Sequence, residues 1–234
     1  MNHLRRFLLA LILIGIPVQL MAAPVRDWSK VAIRTPSGAF VLGNPDARIK
    51  LVEYLSLTCP HCAHFEGEGI VPLTAKYIRP GLVSYEVRHA LRDAFDFAGS
   101  MLARCNGPQA FFAVTPKIFA QQANWFARAQ TWASGEQVDG LPPDQLLPKI
   151  SAGVGFEQLF GFTVARANSC LTSREEQAIL TAQAGEAWRR PGFPGTPTFL
   201  INDNMLSDVR EWADLDSALA AALRSPSSPR KTRR

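Results

Sequence analysis

The chain has 234 residues, enough for one domain with a sizeable apolar core, and its four cysteines are too few to hold a chain of this length together. Seven of the 25 basic residues lie within residues 1–22 and 224–234, which leaves 18 basic against 20 acidic residues between them. The formal net charge of +5 therefore sits at the two ends, and the nearly neutral body argues against nucleic acid as a partner.

The start of the chain has the pattern of an export signal. Arg5 and Arg6 precede an apolar run over residues 7–18, and small residues follow that run. The run is shorter than the ~20 residues of a membrane span, so a cleaved signal is favoured over a retained anchor. We expect a signal peptide over residues 1–22 and a periplasmic mature protein.

Two strands are predicted near the start of the mature chain. Residues 23–37 form an N-terminal segment without a predicted element, and residues 40–42 are predicted to be a short edge strand. Residues 49–57 are mostly apolar, with β-branched and aromatic members, which indicates a strand buried on both faces.

A helix and another strand follow. The spacing of apolar residues predicts a helix over residues 63–78, although Gly67, Gly69 and Pro72 should kink or break it. Residues 82–88 are predicted to be a strand. A strand, a helix and a strand in this order predict a parallel crossover.

Residues 93–190 have a different character, with abundant Ala, Gln, Phe and Leu and few β-branched clusters. We predict that this block is helical throughout. The predicted helices cover residues 95–106, 108–129, 144–152, 157–171 and 174–189. A segment rich in proline and glycine, residues 191–197, ends the block.

The last part of the chain returns to strand character. Residues 198–201 are predicted to be a strand, and a turn leads to a short strand at residues 205–206. An amphipathic helix over residues 211–223 should cover one face of the sheet. Residues 224–234 are predicted to be a basic disordered tail.

The most informative motif is Cys59-Pro60-His61-Cys62, because two cysteines with this spacing at a helix start can close and reopen a disulfide. If the helix begins at Pro60, Cys59 is the N-cap and its sulfur faces unpaired backbone amides, which favour a thiolate. A protonated His61 would add a positive charge. We therefore predict that Cys59 is the attacking and leaving sulfur and that Cys62, the more buried thiol, resolves the mixed disulfide.

Two other interpretations of the motif stay open. One is an inert structural disulfide, and the other is a metal site in which His61 and His64 join the two cysteines. A structural zinc site normally needs a second ligand pair, and the remaining histidines are His3, in the predicted signal peptide, and His89. Redox chemistry is favoured, and no cofactor or metal is predicted.

The motif after a strand, the helical block and the late segment Gly195-Thr196-Pro197-Thr198-Phe199 together resemble the DsbA-like thiol:disulfide oxidoreductases of the thioredoxin superfamily. The resemblance implies an α/β thioredoxin fold, a central mixed sheet flanked by helices, made from residues 38–92 and 191–223. It also implies an inserted all-helical domain over residues 93–190.

The same resemblance implies roles for residues outside the motif. Pro197 corresponds to the cis proline that faces the dithiol, and Thr196 to a residue lining the substrate groove. DsbA proteins more often have Val at this position and disulfide isomerases have Thr, which leaves the choice between oxidase and isomerase open. Glu53 corresponds to a buried acid near Cys62 that helps to move its proton, whereas from the sequence alone it could also be a strand-edge residue reaching solvent.

Cys105 and Cys170 lie in separate predicted helices, 65 positions apart, without neighbours that suggest catalysis. Because related proteins have a structural disulfide and the periplasm is oxidising, we expect these two cysteines to be bonded. The alternative is two buried free thiols.

The resulting hypothesis is a periplasmic, monomeric thiol:disulfide oxidoreductase that introduces disulfide bonds into exported proteins with free thiols. A membrane redox partner would reoxidise or reduce its dithiol. An isomerase or reductase of the same fold is the alternative within this chemistry. A metal-binding or peptide-binding chaperone is the alternative from another class.

Overall fold

The computed structural model describes residues 26–135, 140–207, 209 and 211–225. The predicted signal peptide lies outside these residues, as does the predicted tail after Ser225. In the part of the chain that is described, no helix is both long enough and apolar enough to cross a membrane.

Within the described residues, a six-stranded mixed sheet forms the centre, in the order β1-β2-β4-β3-β5-β6. The strands are β1 Ala32–Arg34, β2 Phe40–Gly43, β3 Ile49–Leu55, β4 Val83–His89, β5 Thr198–Ile201 and β6 Asn204–Met205. Strands β3 and β4 run parallel, as predicted, and the other neighbouring pairs among the described strands run antiparallel.

Helices flank this sheet, and most of them lie between β4 and β5 in the chain. The described helices are α1 Pro60–Leu73, α2 Ala94–Arg104, α3 Gly107–Ala120, α4 Gln122–Gly135, α5 Pro143–Val154, α6 Phe156–Phe160, α7 Val164–Leu171, α8 Arg174–Arg189 and α9 Trp212–Arg224. The seven helices α2 to α8 form the helical block that the composition indicates. The fold is therefore a thioredoxin-type mixed sheet with a helical insertion.

The N-terminal segment contains an element that the sequence analysis missed. Strand β1 pairs antiparallel with β2, so the strand predicted at residues 40–42 is not at the sheet edge. Strand β1 has only three residues and none of them is fully buried. A strand of three residues is too short to show the alternation of apolar and polar residues that marks a longer strand, which is why the sequence analysis missed it.

Helix α1 begins three residues before the predicted start and is not broken by its two glycines or by Pro72. It continues to Leu73 and then widens into a π turn at Thr74–Ile78. Packing explains why a glycine stands at position 69, since a Cβ atom on Gly69 would lie 2.8 Å from the ring of Phe65. That ring packs in turn on Phe199 of β5, with ring centroids 4.6 Å apart.

Two predicted helices are each divided in the structure. The predicted helix over residues 108–129 is α3 and α4, which meet at Gln121. The predicted helix over residues 157–171 is α6 and α7, and Gly161 between them has a left-handed φ of 69°. A single run of helical spacing does not show where the chain must turn to pack on the sheet.

The sheet and the helical block share one hydrophobic core. Leu55 and Leu57, next to the motif, belong to the same buried cluster as Phe111, Trp125 and Phe156 of the helical block. A smaller cluster on the opposite face of the sheet packs α8 against β3 and β5. The block is therefore built onto the end of β3, where the motif begins.

A disulfide joins Cys105, at the end of α2, to Cys170 in α7, and their Cα atoms are 5.6 Å apart. It connects two helices of the block that are separated by 65 positions in the chain.

Candidate functional site

The chain leaves β3 at Leu55 and enters α1 at Pro60 after a turn of four residues. The backbone N–H of Cys59 donates to Ser56 O at 3.2 Å, which closes this turn. Cys59 has an extended backbone (φ −83°, ψ 120°) and is the N-cap of α1, with Pro60 at the first helical position. The sulfur of Cys59 therefore faces backbone amides that have no partner within the helix.

Cys59 is an acidic thiol. It is only 2% exposed, and its Sγ lies 3.0 Å from the carbonyl oxygen of Thr196. A hydrogen bond from the Cys62 thiol, helped by the Thr196 side chain and by the backbone N–H groups of Cys62 and His61, lowers its pKa to about 4 against the opposing effect of burial. Cys59 is consequently a thiolate at neutral pH.

Cys62 lies one helical turn further into α1 and is 1% exposed. Burial raises its pKa well above the ordinary thiol value, and the hydrogen bond to Cys59 and the negative charge of Glu53 add to this effect. Two thiols three positions apart therefore have opposite protonation states at neutral pH. Such a pair separates the roles of nucleophile and proton-carrying partner.

Glu53 is fully buried in the middle of β3, so the interpretation as a strand-edge residue reaching solvent is wrong. The hydroxyl of Tyr85 on β4 donates a hydrogen bond to Glu53 Oε2. Burial raises the pKa of Glu53 to about 7, and the Tyr85 hydrogen bond counteracts part of this rise. A carboxyl group with this pKa can both hold and release a proton near neutral pH.

Glu66 is a second buried carboxyl group that the sequence analysis did not single out. It follows Cys62 by four positions and so lies on the same side of α1; it is 6% exposed. Burial and the nearby charge of Glu53 raise its pKa to about 8. Glu66 and Tyr85 both line a cavity of about 360 Å³ that extends to helix α3. In the sequence, the spacing of four positions from Cys62 was the signal that could have placed Glu66 near the motif.

The loop before β5 lies against the motif, because the Cys59 thiol, when protonated, donates a hydrogen bond to the Thr196 carbonyl oxygen at 3.0 Å. The Thr196–Pro197 peptide bond is cis. Thr196 and Pro197 line a groove of about 430 Å³. Met205, Leu206 and His61, which is exposed, line the same groove. The structure thus brings His61, Thr196 and Pro197 to one surface next to Cys59.

The helical block contributes side chains to the motif that the sequence analysis missed. Asp96 Oδ1 of α2 accepts a hydrogen bond from the Leu57 N–H at 2.8 Å. Gln122 Nε2 of α4 donates to Leu57 O at 2.7 Å and to Cys59 O at 2.9 Å. Only the fold could show these contacts, because they join positions more than 35 apart in the chain.

The surroundings of His64 and His89 differ from those of metal ligands. Within the residues that the structure describes, no three His, Cys, Asp or Glu side chains come together in an arrangement that could hold a metal ion. His64 is exposed and lies 3.6 Å from Glu68, four positions along α1. His89 is buried at the end of β4 and packs edge-on against Phe111.

Comparison with known proteins agrees with this geometry. A family model described as thioredoxin matches residues 35–221. A curated relative from Rickettsia bellii, named "Putative protein-disulfide oxidoreductase", is 30% identical over 193 residues, which cover 82% of this chain and 68% of the relative. A relative of the same description from Rickettsia conorii is 30% identical over 173 residues and 74% of this chain, which spans 56% of that protein's length.

Solved structures show the same fold. A protein-disulfide isomerase from Novosphingobium aromaticivorans is 29% identical with a TM-score of 0.70, over 79% of this chain and 97% of that chain. Wolbachia pipientis alpha-DsbA1 is 22% identical with a TM-score of 0.60, over 82% of this chain and 94% of that chain. The family model over residues 35–221 and the Rickettsia bellii relative, together with the dithiol at the start of α1, show that the chain belongs to the protein-disulfide oxidoreductases of the thioredoxin superfamily, and the solved structures show that it has a DsbA-like fold.

Proposed function

We propose that this protein is a disulfide donor: in the periplasm, its Cys59–Cys62 disulfide oxidises thiols of exported proteins. The observation that carries this proposal is the place of Cys59 at the N-terminus of α1, where hydrogen bonds from Cys62, Thr196 and the backbone N–H groups of Cys62 and His61 lower its pKa to about 4. Whatever stabilises the reduced thiolate makes the corresponding disulfide a stronger oxidant. A dithiol with this property gives its disulfide away more readily than it accepts one.

The proposed reaction has two exchange steps. A substrate thiolate attacks Cys59 Sγ, the Cys59–Cys62 bond breaks, and Cys62 leaves with the bonding electron pair. Because the pKa of Cys62 is raised, its thiolate takes a proton, and the buried Glu53, whose charge acts on Cys62 and whose pKa is about 7, would supply it. A second substrate thiolate then attacks the substrate sulfur of the mixed disulfide, and Cys59 leaves as the thiolate that its surroundings stabilise.

The groove next to Cys59 is proposed to hold the substrate. An extended peptide can pair with the backbone of the loop at Thr196 and Pro197, in the manner of an added β-strand. His61 and Pro60, both exposed at the start of α1, would contact the same peptide. Backbone pairing is independent of side-chain sequence, which suits an enzyme that acts on many exported proteins.

The location and partners are part of the proposal. The basic and apolar pattern of residues 1–22 supports export, and an oxidising compartment is needed to keep the dithiol oxidised. We assign the exchange chemistry to residues 38–92 and 191–223 and the covering block to residues 93–190. A membrane redox partner would reoxidise a monomeric enzyme that needs no cofactor, because the electrons reside in the cysteine sulfurs.

An isomerase is the second candidate, and two observations favour it. Thr196 precedes Pro197, and the 29% identical Novosphingobium structure is named a protein-disulfide isomerase. An isomerase must be held reduced, so it would start from the Cys59 thiolate rather than from the disulfide. The two candidates therefore differ in the form of the enzyme that acts.

The test is the equilibrium of the exported chain with reduced and oxidised glutathione, together with oxidation of a peptide that has two cysteines. We expect a reduction potential more oxidising than roughly −200 mV and rapid peptide oxidation by the disulfide form. The Cys62→Ser variant still has the reactive Cys59 but lacks the resolving thiol, so it should accumulate mixed disulfides. The Cys59→Ser variant should be inactive. A potential near roughly −270 mV would contradict the proposal, and repair of a scrambled substrate by the reduced form alone would favour the isomerase.

A further inference from the structure

The segment from Leu57 to Cys59 is held by side chains of the helical block. It lies between the end of β3 and the start of α1, outside the regular hydrogen-bond pattern of the strand. Asp96 accepts from the Leu57 N–H and Gln122 donates to the Leu57 carbonyl, so both polar groups of this residue pair with side chains of the block. Thr58 is held in the same way, since its hydroxyl donates to Asp93 Oδ2 at 2.8 Å.

Gln122 makes the most direct contact with the exchanging residue. Its side chain is buried, and its Nε2 donates to the carbonyls of both Leu57 and Cys59. An amide nitrogen has two hydrogens, so one group can satisfy both acceptors. Gln122 is the first residue of α4, and the break between α3 and α4 is what brings it to the motif.

We propose that Gln122 is a positioning residue: it fixes the orientation of Cys59 towards the amides of α1 and the Thr196 loop, and so couples the helical block to the exchanging thiol. This inference rests on the proposed function, because it concerns the thiolate that the exchange reaction uses.

The physical reason lies in the backbone of Cys59. Its carbonyl also accepts the Ala63 N–H at 3.2 Å, the ordinary bond of the first helical turn. Without Gln122, the buried Leu57 carbonyl loses its amide donor, and a buried acceptor without a partner is unfavourable. The segment would turn to recover a partner, which moves Cys59 Sγ away from the groups that stabilise its negative charge.

The experiment compares Gln122→Ala, Gln122→Glu and Gln121→Ala in the full exported chain. Gln121 is the exposed neighbour of Gln122 and serves as the matched control. We would follow the ultraviolet absorbance of the Cys59 thiolate against pH and the glutathione equilibrium of each variant. Thermal unfolding of the reduced and oxidised forms would be measured in parallel.

For Gln122→Ala we expect the thiolate midpoint to rise by about one pH unit, which corresponds to about a tenfold shift of the glutathione equilibrium towards the disulfide. Gln122→Glu keeps the size of the side chain but removes the donor and adds a negative charge, so its midpoint should rise further. It also keeps the inference testable if Gln122→Ala does not fold. Gln121→Ala should match the wild type.

The outcomes separate this inference from the proposed function. Suppose the wild-type midpoint is acidic, neither Gln122 variant changes it, and both redox forms lose thermal stability equally. Gln122 would then have a purely structural role. This result would overturn the inference but not the proposed function. A wild-type midpoint near that of an ordinary cysteine would overturn the oxidase proposal and this inference with it.

Discussion

Cys59 and Cys62 have nearly the same exposure, yet their pKa values move in opposite directions. The hydrogen bonds that the Cys59 sulfur receives outweigh the effect of its burial, whereas burial is the largest effect on Cys62 and raises its pKa. Cys59, at the helix start, is surrounded by donors, whereas Cys62 is buried beside Glu53 and the Cys59 thiolate. Position in the first turn of one helix is therefore enough to assign different tasks to two identical side chains.

Thr196→Val tests one of these donors. The change removes the hydroxyl and keeps the volume, so a hydrogen bond that lowers the pKa of Cys59 is lost. We expect the thiolate midpoint to rise and the disulfide form to become a weaker oxidant, measured by thiolate absorbance against pH and by the glutathione equilibrium. Thr131→Val, on the exposed side of α4, is the control. An unchanged midpoint would mean that the hydroxyl does not act on the thiolate.

Glu66 and Gln122 illustrate what residue patterns reveal and what they hide. Glu66 has a signal in the sequence, its spacing of four from Cys62, but a glutamate on a helix is usually exposed. Its burial is decided by the sheet and α3 on the other side. Gln122 has no local signal, because its partner Leu57 is 65 positions away.

At the scale of elements, the disulfide between Cys105 and Cys170 joins α2 to α7. Both helices pack against α5 in the block, and the cross-link closes a loop that would otherwise be free in the unfolded chain. Its effect should therefore fall on stability rather than on the exchange reaction.

The double variant Cys105→Ala, Cys170→Ala should lower the free energy of unfolding by about 2–4 kcal/mol, because the unfolded chain regains the entropy of the open loop. The measurement is denaturant unfolding of both proteins with the Cys59–Cys62 pair in the same redox state. The glutathione equilibrium of that pair should stay at the wild-type value. A change in this equilibrium, or unaltered stability, would contradict the assignment of a structural role.

The strands and most helices could be predicted because their signals are local. Strands β3 and β5 are mostly apolar, β4 alternates apolar and polar residues, and α9 has an amphipathic pattern. The divisions at Gln121 and Gly161 and the short strand β1 could not be predicted. Their positions depend on packing against distant parts of the chain, which a local pattern does not contain.

At the scale of the whole molecule, acid and base groups with shifted pKa values make stability depend on pH. The raised pKa values of Glu53, Glu66 and Asp96, about 7, 8 and 7, contribute stability that is present at low pH and lost as the pH rises through these values. The lowered pKa of Cys59 acts in the opposite sense in the reduced protein only. Its contribution is present above the ordinary thiol pKa and is lost as the pH falls through about 4.

The difference between the unfolding free energies of the reduced and oxidised forms should therefore grow as the pH rises from about 4 towards 9. Cys59 would contribute up to about 1.4 kcal/mol per pH unit over this range, because the unfolded thiol holds a proton that the folded thiolate has lost. Denaturant titrations of both forms at several pH values measure this difference. A difference independent of pH would contradict a thiolate at Cys59 in the folded protein.

The sequence by itself determined the order of the main strands, the helical block between them and the place of Cys59 at a helix start. These features depend on residues within a few positions of one another, such as Pro60 after Cys59. Only the tertiary structure decided which buried groups surround the two sulfurs. Gln122 and the Thr196 loop reach the motif from separate elements, and their contacts with it form only once the chain has folded.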